Sequence, residues 1–327
     1  MIYKKVKRIE EEISALGIGC WLFGGDWDSY EEKESIKVIH AAVDAGINLF
    51  DVAPVYGWHQ AENLLGRSLK NGRREKVIIA SKGGITWNDQ HEIKFDLSRD
   101  NLMREIDESL MRLQTDYIDI YQMHWPDPTT PIEETAQALK EIQAAGKIRH
   151  IGLSNFAQKD VQAFMQHVEV DVQQGLYNML ERNAATYHGI PLAYRTEKEM
   201  LETVRREGQA FLPYSPLLQG LLTGTFKADE TFSEHDVRKD NPKLNGSLYQ
   251  TYYQGMLQLK EIANEMGKPL NELAINWLRQ KQEVTSIIGG VSSVDQLERN
   301  LQAFEWDIPS DAMDKISEML KSFKDME

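Results

Sequence analysis

The sequence predicts an α/β protein, a (β/α)8 TIM barrel forming a single domain over residues 1–327, with a long loop over its C-terminal mouth. Three observations carry this. Eight short runs rich in Ile, Val, Leu and aromatic residues recur, each too short for an ordinary helix and suited to a strand buried on both faces. Longer stretches with helical periodicity separate them. No Pro- or Gly-rich linker, low-complexity tract or short repeat offers a place for a second domain to begin. Eight such alternations over about 250 residues are the signature of the barrel, with a doubly wound sheet as the alternative.

The strand runs fall at 15–20, 47–50, 76–81, 117–123, 147–153, 170–173, 209–213 and 284–288. Between the first two, residues 31–45 place Ile36, Ile39 and Val43 on one helical stripe. Residues 100–113 do the same with Leu102, Ile106, Leu110 and Leu113, and residues 131–145 with Ile132, Ala136, Leu139 and Ile142. Gly46, Gly146 and Gly208 each follow a helix, where a left-handed residue ends it most easily. Ser98, with Asp100 and Asn101 close behind, supplies an N-terminal cap. Residues 223–255 fit no strand–helix slot; polar and broken by Pro242 and Gly246, they form the loop over the mouth. Residues 264–282 give the helix before the last strand, and an amphipathic helix begins at Ser310.

Composition narrows the function. With 37 Lys and Arg against 51 Asp and Glu, the net charge is 37 − 51 = −14. That average field repels nucleic acid and anionic membranes. Cys20 is the only cysteine, so an intrachain disulfide and a cysteine-built metal site are excluded. The basic N-terminus has no signal-length apolar stretch behind it, and no run reaches the ~18 apolar residues of a membrane span. A cytoplasmic protein acting on small molecules is expected.

Barrel chemistry sits at the C-terminal ends of the strands. The residues following the runs are Asp51, with Tyr56 just beyond, Lys82, His124, the pair Ser154 and Asn155, Gln174, the pair Tyr214 and Ser215, and Gly289-Gly290. Asp, Tyr, Lys and His on one rim make a proton-handling set. Tyrosine is a poor acid near its reference pKa of ~10. A neighbouring ammonium lowers that value, a carboxylate orients the lysine, and a histidine can hydrogen-bond the oxygen that receives the proton. Taken singly, Asp51 and Lys82 would read as a buried ion pair and Tyr56 as a loop aromatic.

These segments together resemble the aldo-keto reductase family, in its bacterial and potassium-channel β-subunit branches: Asp51-Val-Ala-Pro-Val-Tyr56, Ser81-Lys82, Met123-His124-Trp125, Gly152-Leu-Ser-Asn-Phe156, Gln174-Gly-Leu-Tyr-Asn178, Tyr214-Ser-Pro-Leu217 and 289–300. The resemblance implies Tyr56 as general acid, Lys82 as the partner that lowers its pKa, Asp51 as the lysine's counter-ion and His124 as the group orienting the carbonyl. It implies a nicotinamide cofactor, NADP(H) in preference to NAD(H), and no metal. Ser154, Asn155 and Gln174 would hold the carboxamide, and Tyr214 would stack on the ring. Ser215, Leu217, Gln219 and Gly220 would line the pyrophosphate path, and Gly290, Ser292, Gln296 and Asn300 the adenosine end. Trp21 would touch both cofactor and substrate. Gly290 stands where many relatives carry lysine, so the phosphate-holding groups expected there are the free backbone N–H groups opening the helix after 290.

Trp21, Trp58, Trp87 and Trp125 fall near strand ends, as an aromatic substrate pocket or as loop packing; Trp277 and Trp306 read as core. Lys227, Lys239 and Lys243 in the mouth loop are within reach of cofactor phosphates or simply solvated. His40, His59, His91, His150, His167, His188 and His235 read as structural or solvated, since none has metal-ligand spacing. The leading function is a carbonyl reductase, or in reverse an alcohol or sugar dehydrogenase. The alternative is a nicotinamide-binding regulatory subunit that senses redox state for a partner protein.

Overall fold

The computed structural model describes residues 1–28 and 30–323. Among these, eight parallel strands form one sheet: β1 (Leu16–Gly19), β2 (Leu49–Asp51), β3 (Ile78–Gly83), β4 (Ile118–Met123), β5 (Ile148–Ser154), β6 (Val172–Leu176), β7 (Ala210–Tyr214) and β8 (Ile287–Gly289). From β1 to β7 each pairs with its sequence neighbours, and β8 pairs with β1. A parallel bridge between Phe211 and Val284, with the Thr285 amide donating to the Phe211 carbonyl at 2.9 Å, joins β7 to the segment entering β8. The sheet is therefore a nearly closed barrel, as the alternation predicted.

Helices α1 (Glu32–Asp44), α2 (Gln60–Ser68), α3 (Arg99–Leu113), α4 (Ile132–Ala144), α5 (Gln158–Phe164) and α6 (Leu201–Glu207) follow strands β1 to β6. Gly46, Gly146 and Gly208 take φ values of 82°, 73° and 67°, the left-handed helix ends read from the sequence. The buried stripe of α1 is Ser35, Val38, Ile39 and Ala42, with Ile36 and Val43 only half-buried. The reason is tertiary: α1 lies between α2 and α9 (Val294–Leu301), and Ile36 and Val43 pack at the margin of the core cluster.

Residues 223–255 are not wholly loop. Helix α7 (Tyr249–Glu265) begins inside them, and Gly267 and Pro269 then break the expected 264–282 helix, leaving α8 (Leu270–Arg279). Helix α10 (Ser310–Ser322) closes the chain as expected. Three hairpins escaped the sequence reading, because strands of two to six residues carry little periodicity. Tyr3–Val6 with Ile9–Ser14 sends Ile9 and Ile13 into a cluster with Leu49, Ile120 and Leu212, sealing the barrel floor. Ile85–Trp87 with Ile93–Phe95, and Thr186–Tyr187 with Ile190–Pro191, stand beside the mouth. Among the described residues no helix is long and apolar enough to cross a membrane.

Candidate active site

Parallel register sets the site. Gly19, Asp51 and Ala80 are level across β1, β2 and β3, Lys82 is level with Gln122 of β4, and Gln174 of β6 is level with Ser154 of β5. Side chains at these strand ends meet over the barrel axis. Tyr56 reaches the same place from a loop. Gly57, Trp58 and His59 are all left-handed, with φ of 60°, 52° and 82°, so the chain reverses sharply just past Tyr56. Gly57 must be glycine: a Cβ there would fall 1.8 Å from the Gly24 carbonyl oxygen.

Lys82 is fully buried and completely partnered. Its ammonium donates to both Asp51 oxygens at 2.8 and 2.7 Å, to the Val52 carbonyl at 3.2 Å and to the Tyr56 hydroxyl oxygen at 3.2 Å. Asp51 also accepts from the Gln174 side chain at 2.8 Å and from Gln122 at 3.3 Å. His124 stands edge-on to the Tyr56 ring, with centroids 5.8 Å apart. Burial, aided by the Lys82 charge, holds its imidazole well below the ordinary pKa, so it is neutral. Tyr56 departs from the expectation that Lys82 would bring its pKa down. Burial, reinforced by Asp51, pushes the phenol well above its ordinary value. The lysine's charge is matched at shorter range by Asp51, so desolvation decides the direction.

The four residues open onto a cavity of about 920 Å³. Asp51, Tyr56 and His124 line it, with Lys82 directly behind. Trp21, Ser154, Asn155, Gln174, Tyr214, Ser215, Leu217, Gln219, Gly220, Gly290, Ser292, Gln296 and Asn300 all line the same cavity, as do Trp58 and Trp125. Trp87 does not line it. It stands edge-on to Trp58 at 5.3 Å and near His59 at 4.8 Å, supporting the lining residue from behind. Asn155 is heavily bonded: its amide donates to the His124 carbonyl at 3.1 Å and its oxygen accepts from Tyr194 and Tyr214 at 3.1 and 2.8 Å.

Several expectations are corrected. Lys243 is buried against Glu181 and donates to the Thr186 carbonyl, so it does not serve a phosphate; Lys239 pairs with Glu234 and Asp240. Lys227 does not line the cavity, whereas Arg238 of the same loop does. The backbone N–H groups after 290 are not all free, since Ser292 donates to the Gln296 side chain and Gln296 to Ser293 Oγ. Arg299 supplies a cation there instead. One helical turn past Gln296 and next to Asn300, it could have been found from helical spacing alone. His188, read as structural or solvated, is half-buried and lines the cavity, 2.6 Å from Gln219 and 6.0 Å from the Trp21 ring. No local signal marks it, because the 186–191 hairpin brings it there. Asp26 and Trp27, in the loop after β1, were also missed. Trp277 is core as expected, while Trp306 is half-buried and donates to Glu272 at 2.9 Å.

Residues 15–321 match the Aldo/keto reductase family. The chain is 35% identical over 325 residues to the aldo-keto reductase YhdN of Bacillus subtilis (strain 168), covering 98% of this chain and 94% of the relative. It is 32% identical to the NADH-specific methylglyoxal reductase of Escherichia coli (strain K12), covering 89% and 90%. The solved glycerol dehydrogenase AKR11B4 of Gluconobacter oxydans superposes with a TM-score of 0.86 at 29% identity, covering 99% of this chain and 97% of that one.

Proposed function

The chain belongs to the aldo/keto reductase family, and from that premise we propose that it transfers hydride between NADP(H) and the carbonyl of a small aldehyde, ketone or sugar, with Tyr56 as the proton donor. It is an NAD(P)-dependent oxidoreductase. The cavity lining suits a nicotinamide dinucleotide. Ser154, Asn155 and Gln174 offer amide and hydroxyl groups at one end, and Ser292, Gln296, Arg299 and Asn300 offer polar and cationic groups at the other. Between them Ser215, Leu218, Gln219 and Gly220 turn left-handed, and a Cβ at Gly220 would come within 3.3 Å of Phe226. Bound there, the cofactor supplies the hydride.

The observation that carries the reading is the direction of the Lys82–Tyr56 hydrogen bond. Lys82 donates, so the phenol oxygen accepts and its own proton remains for the cavity. As negative charge develops on the substrate oxygen, Tyr56 gives up that proton. The ammonium 3.2 Å behind stabilises the phenolate that remains. Neutral His124 donates its ring N–H to the same oxygen and fixes the carbonyl's orientation. Tyr56→Phe removes only the proton. Reduction of nitrobenzaldehyde is expected to fall by about 10²–10⁴-fold while NADPH still quenches tryptophan fluorescence at a similar concentration. Activity within a few-fold of wild type would rule out Tyr56 as the acid.

NADPH is the preferred cofactor in this reading, by about tenfold, because Arg299 lies at the adenosine end and a guanidinium pairs well with a phosphate. Fluorescence titration of both cofactors, repeated with Arg299→Ala, checks this. Equal affinities in the wild type would abandon the preference.

A further inference from the structure

The carbonyl end of the cavity is more apolar than proton and hydride transfer require. Trp21 stacks on Tyr56 at 6.0 Å and meets Trp27 at 5.4 Å; Trp58 is clamped between His91, stacked at 3.9 Å, and Trp87. Ile93, opposite Trp87 across its hairpin, and Ile190, opposite the lining residue Tyr187 across its own, add two more apolar side chains to the lining. They stand on different hairpins, are 51% and 44% exposed, and both line the cavity. A single exposed isoleucine is ordinary. Two that converge on one mouth from separate hairpins make an apolar lip that water alone does not favour.

The cations that would recognise a phosphorylated substrate are absent or engaged elsewhere. Among the described residues no lysine lines the cavity. Arg238 grips Asp236 through Nε and Nη2 at 2.8 and 2.6 Å, lies over Trp27 and Phe232, and has Nη1 on the Gly220 side. Arg299 lines the cavity beside Asn300, at the end assigned to adenosine. Asp26 also lines the cavity, with the Trp21 indole and the Gly57 amide on its carboxyl group, and would repel a substrate phosphate. Resting on the reading of Tyr56 as acid, we propose that the preferred substrates are carbonyl compounds with an apolar tail, which follows the tryptophan wall out across Ile93 and Ile190.

The test is a chain-length series with NADPH: butanal, hexanal and octanal against DL-glyceraldehyde and glyceraldehyde 3-phosphate. A fully buried methylene is worth roughly fourfold in binding, and a half-exposed one about twofold, so kcat/KM is expected to rise at least about tenfold from butanal to octanal. The tail lies away from the reacting atoms, so the change is expected in KM with kcat nearly level. Ile93→Ser combined with Ile190→Ser alters two exposed side chains that the fold does not need. It is expected to lower the octanal-to-glyceraldehyde ratio of kcat/KM by about fivefold. A flat KM series, an unmoved ratio, or preference for glyceraldehyde 3-phosphate overturns the apolar-tail inference and leaves the Tyr56 reading standing. A second readout needs no turnover: octanamide is expected to quench tryptophan fluorescence at lower concentration than acetamide. If no aldehyde is reduced in a Tyr56-dependent way, the reading of the acid fails. The two amides then decide the tail site, with equal quenching ending it.

Discussion

Tyr56 shows how one residue's chemistry depends on which of two opposing effects is larger. A cation 3.2 Å away favours the phenolate, but that cation is paired with Asp51 at 2.7 Å, and burial, with Asp51, pushes the phenol up. Tyr56 is therefore protonated throughout the neutral and mildly alkaline range, and His124 is neutral there because burial holds it down. The kcat/KM for aldehyde reduction is expected to be level from about pH 7 to 9. Asp51→Asn removes the negative charge and leaves Lys82 unmatched, which favours the phenolate and moves the basic limb to lower pH than in the wild type. Lys82→Met leaves Asp51 alone beside the phenol, so the limb stays out of range while the rate falls. A wild-type basic limb between about pH 7 and 9 would show that the lysine outweighs burial after all.

Elements meet at the mouth through backbone contact as much as through side chains. Gly57 and Gly72 are both left-handed, at φ 60° and 76°, but a Cβ on Gly72 would meet nothing within 4 Å. Alanine at 72 bears only the conformational cost, about 1–2 kcal/mol. Alanine at 57 also drives the loop after β1 from the loop after β2, with an expected loss of about 3 kcal/mol or more and of most activity. Urea denaturation of the two variants separates the effects, and equal losses would discount the backbone crossing. A second element-scale contact joins α3 to β3. Buried Glu105 accepts the Gly84 amide at 2.7 Å, two residues past Lys82, and burial raises its pKa from 4.5 to about 7. Because the folded value is raised, the stability linked to this proton is complete below about pH 4.5 and is lost as pH rises towards 7. Glu105→Gln keeps an acceptor for Gly84 and abolishes the titration. Its Tm relative to wild type should therefore be higher at pH 8 than at pH 5; a pH-independent difference would contradict the raised value.

Across the whole molecule, the mouth is held by contacts between segments far apart in the chain. Lys243, in the loop before α7, is buried against Glu181 and reaches the carbonyl of Thr186 at the base of the hairpin that carries His188. The Val237 amide donates to the Asp26 carbonyl at 3.3 Å, tying the same loop to the segment after β1. Lys243→Ala strands the Glu181 carboxylate, a loss of about 3–5 kcal/mol when a buried pair is broken. NADPH affinity should fall with it, since His188, Gln219 and Arg238 lose their support. Adding Glu181→Gln should recover part of both, as measured by denaturation and fluorescence titration. Additive losses would mean that the two residues act independently.

What the sequence determines by itself is whatever depends on local period and chain order. Eight apolar runs alternating with helical stripes specify a barrel, and the barrel specifies that residues ending its strands share a rim. That is why Asp51, Lys82, His124, Ser154, Gln174 and Tyr214 were legible, whereas Gln296 and Asn300 were expected only from the family resemblance. Tertiary structure alone decided what depends on approach between distant segments. It placed His188 and Asp26 in the cavity, turned Lys243 inward to Glu181 and Arg238 outward to the lining, and set Trp87 behind Trp58. It also set the direction of the Tyr56 shift, because burial is a property of everything packed around a group. Hairpin strands of two to six residues have too few positions for a period, and the loops they belong to take their shape from each other.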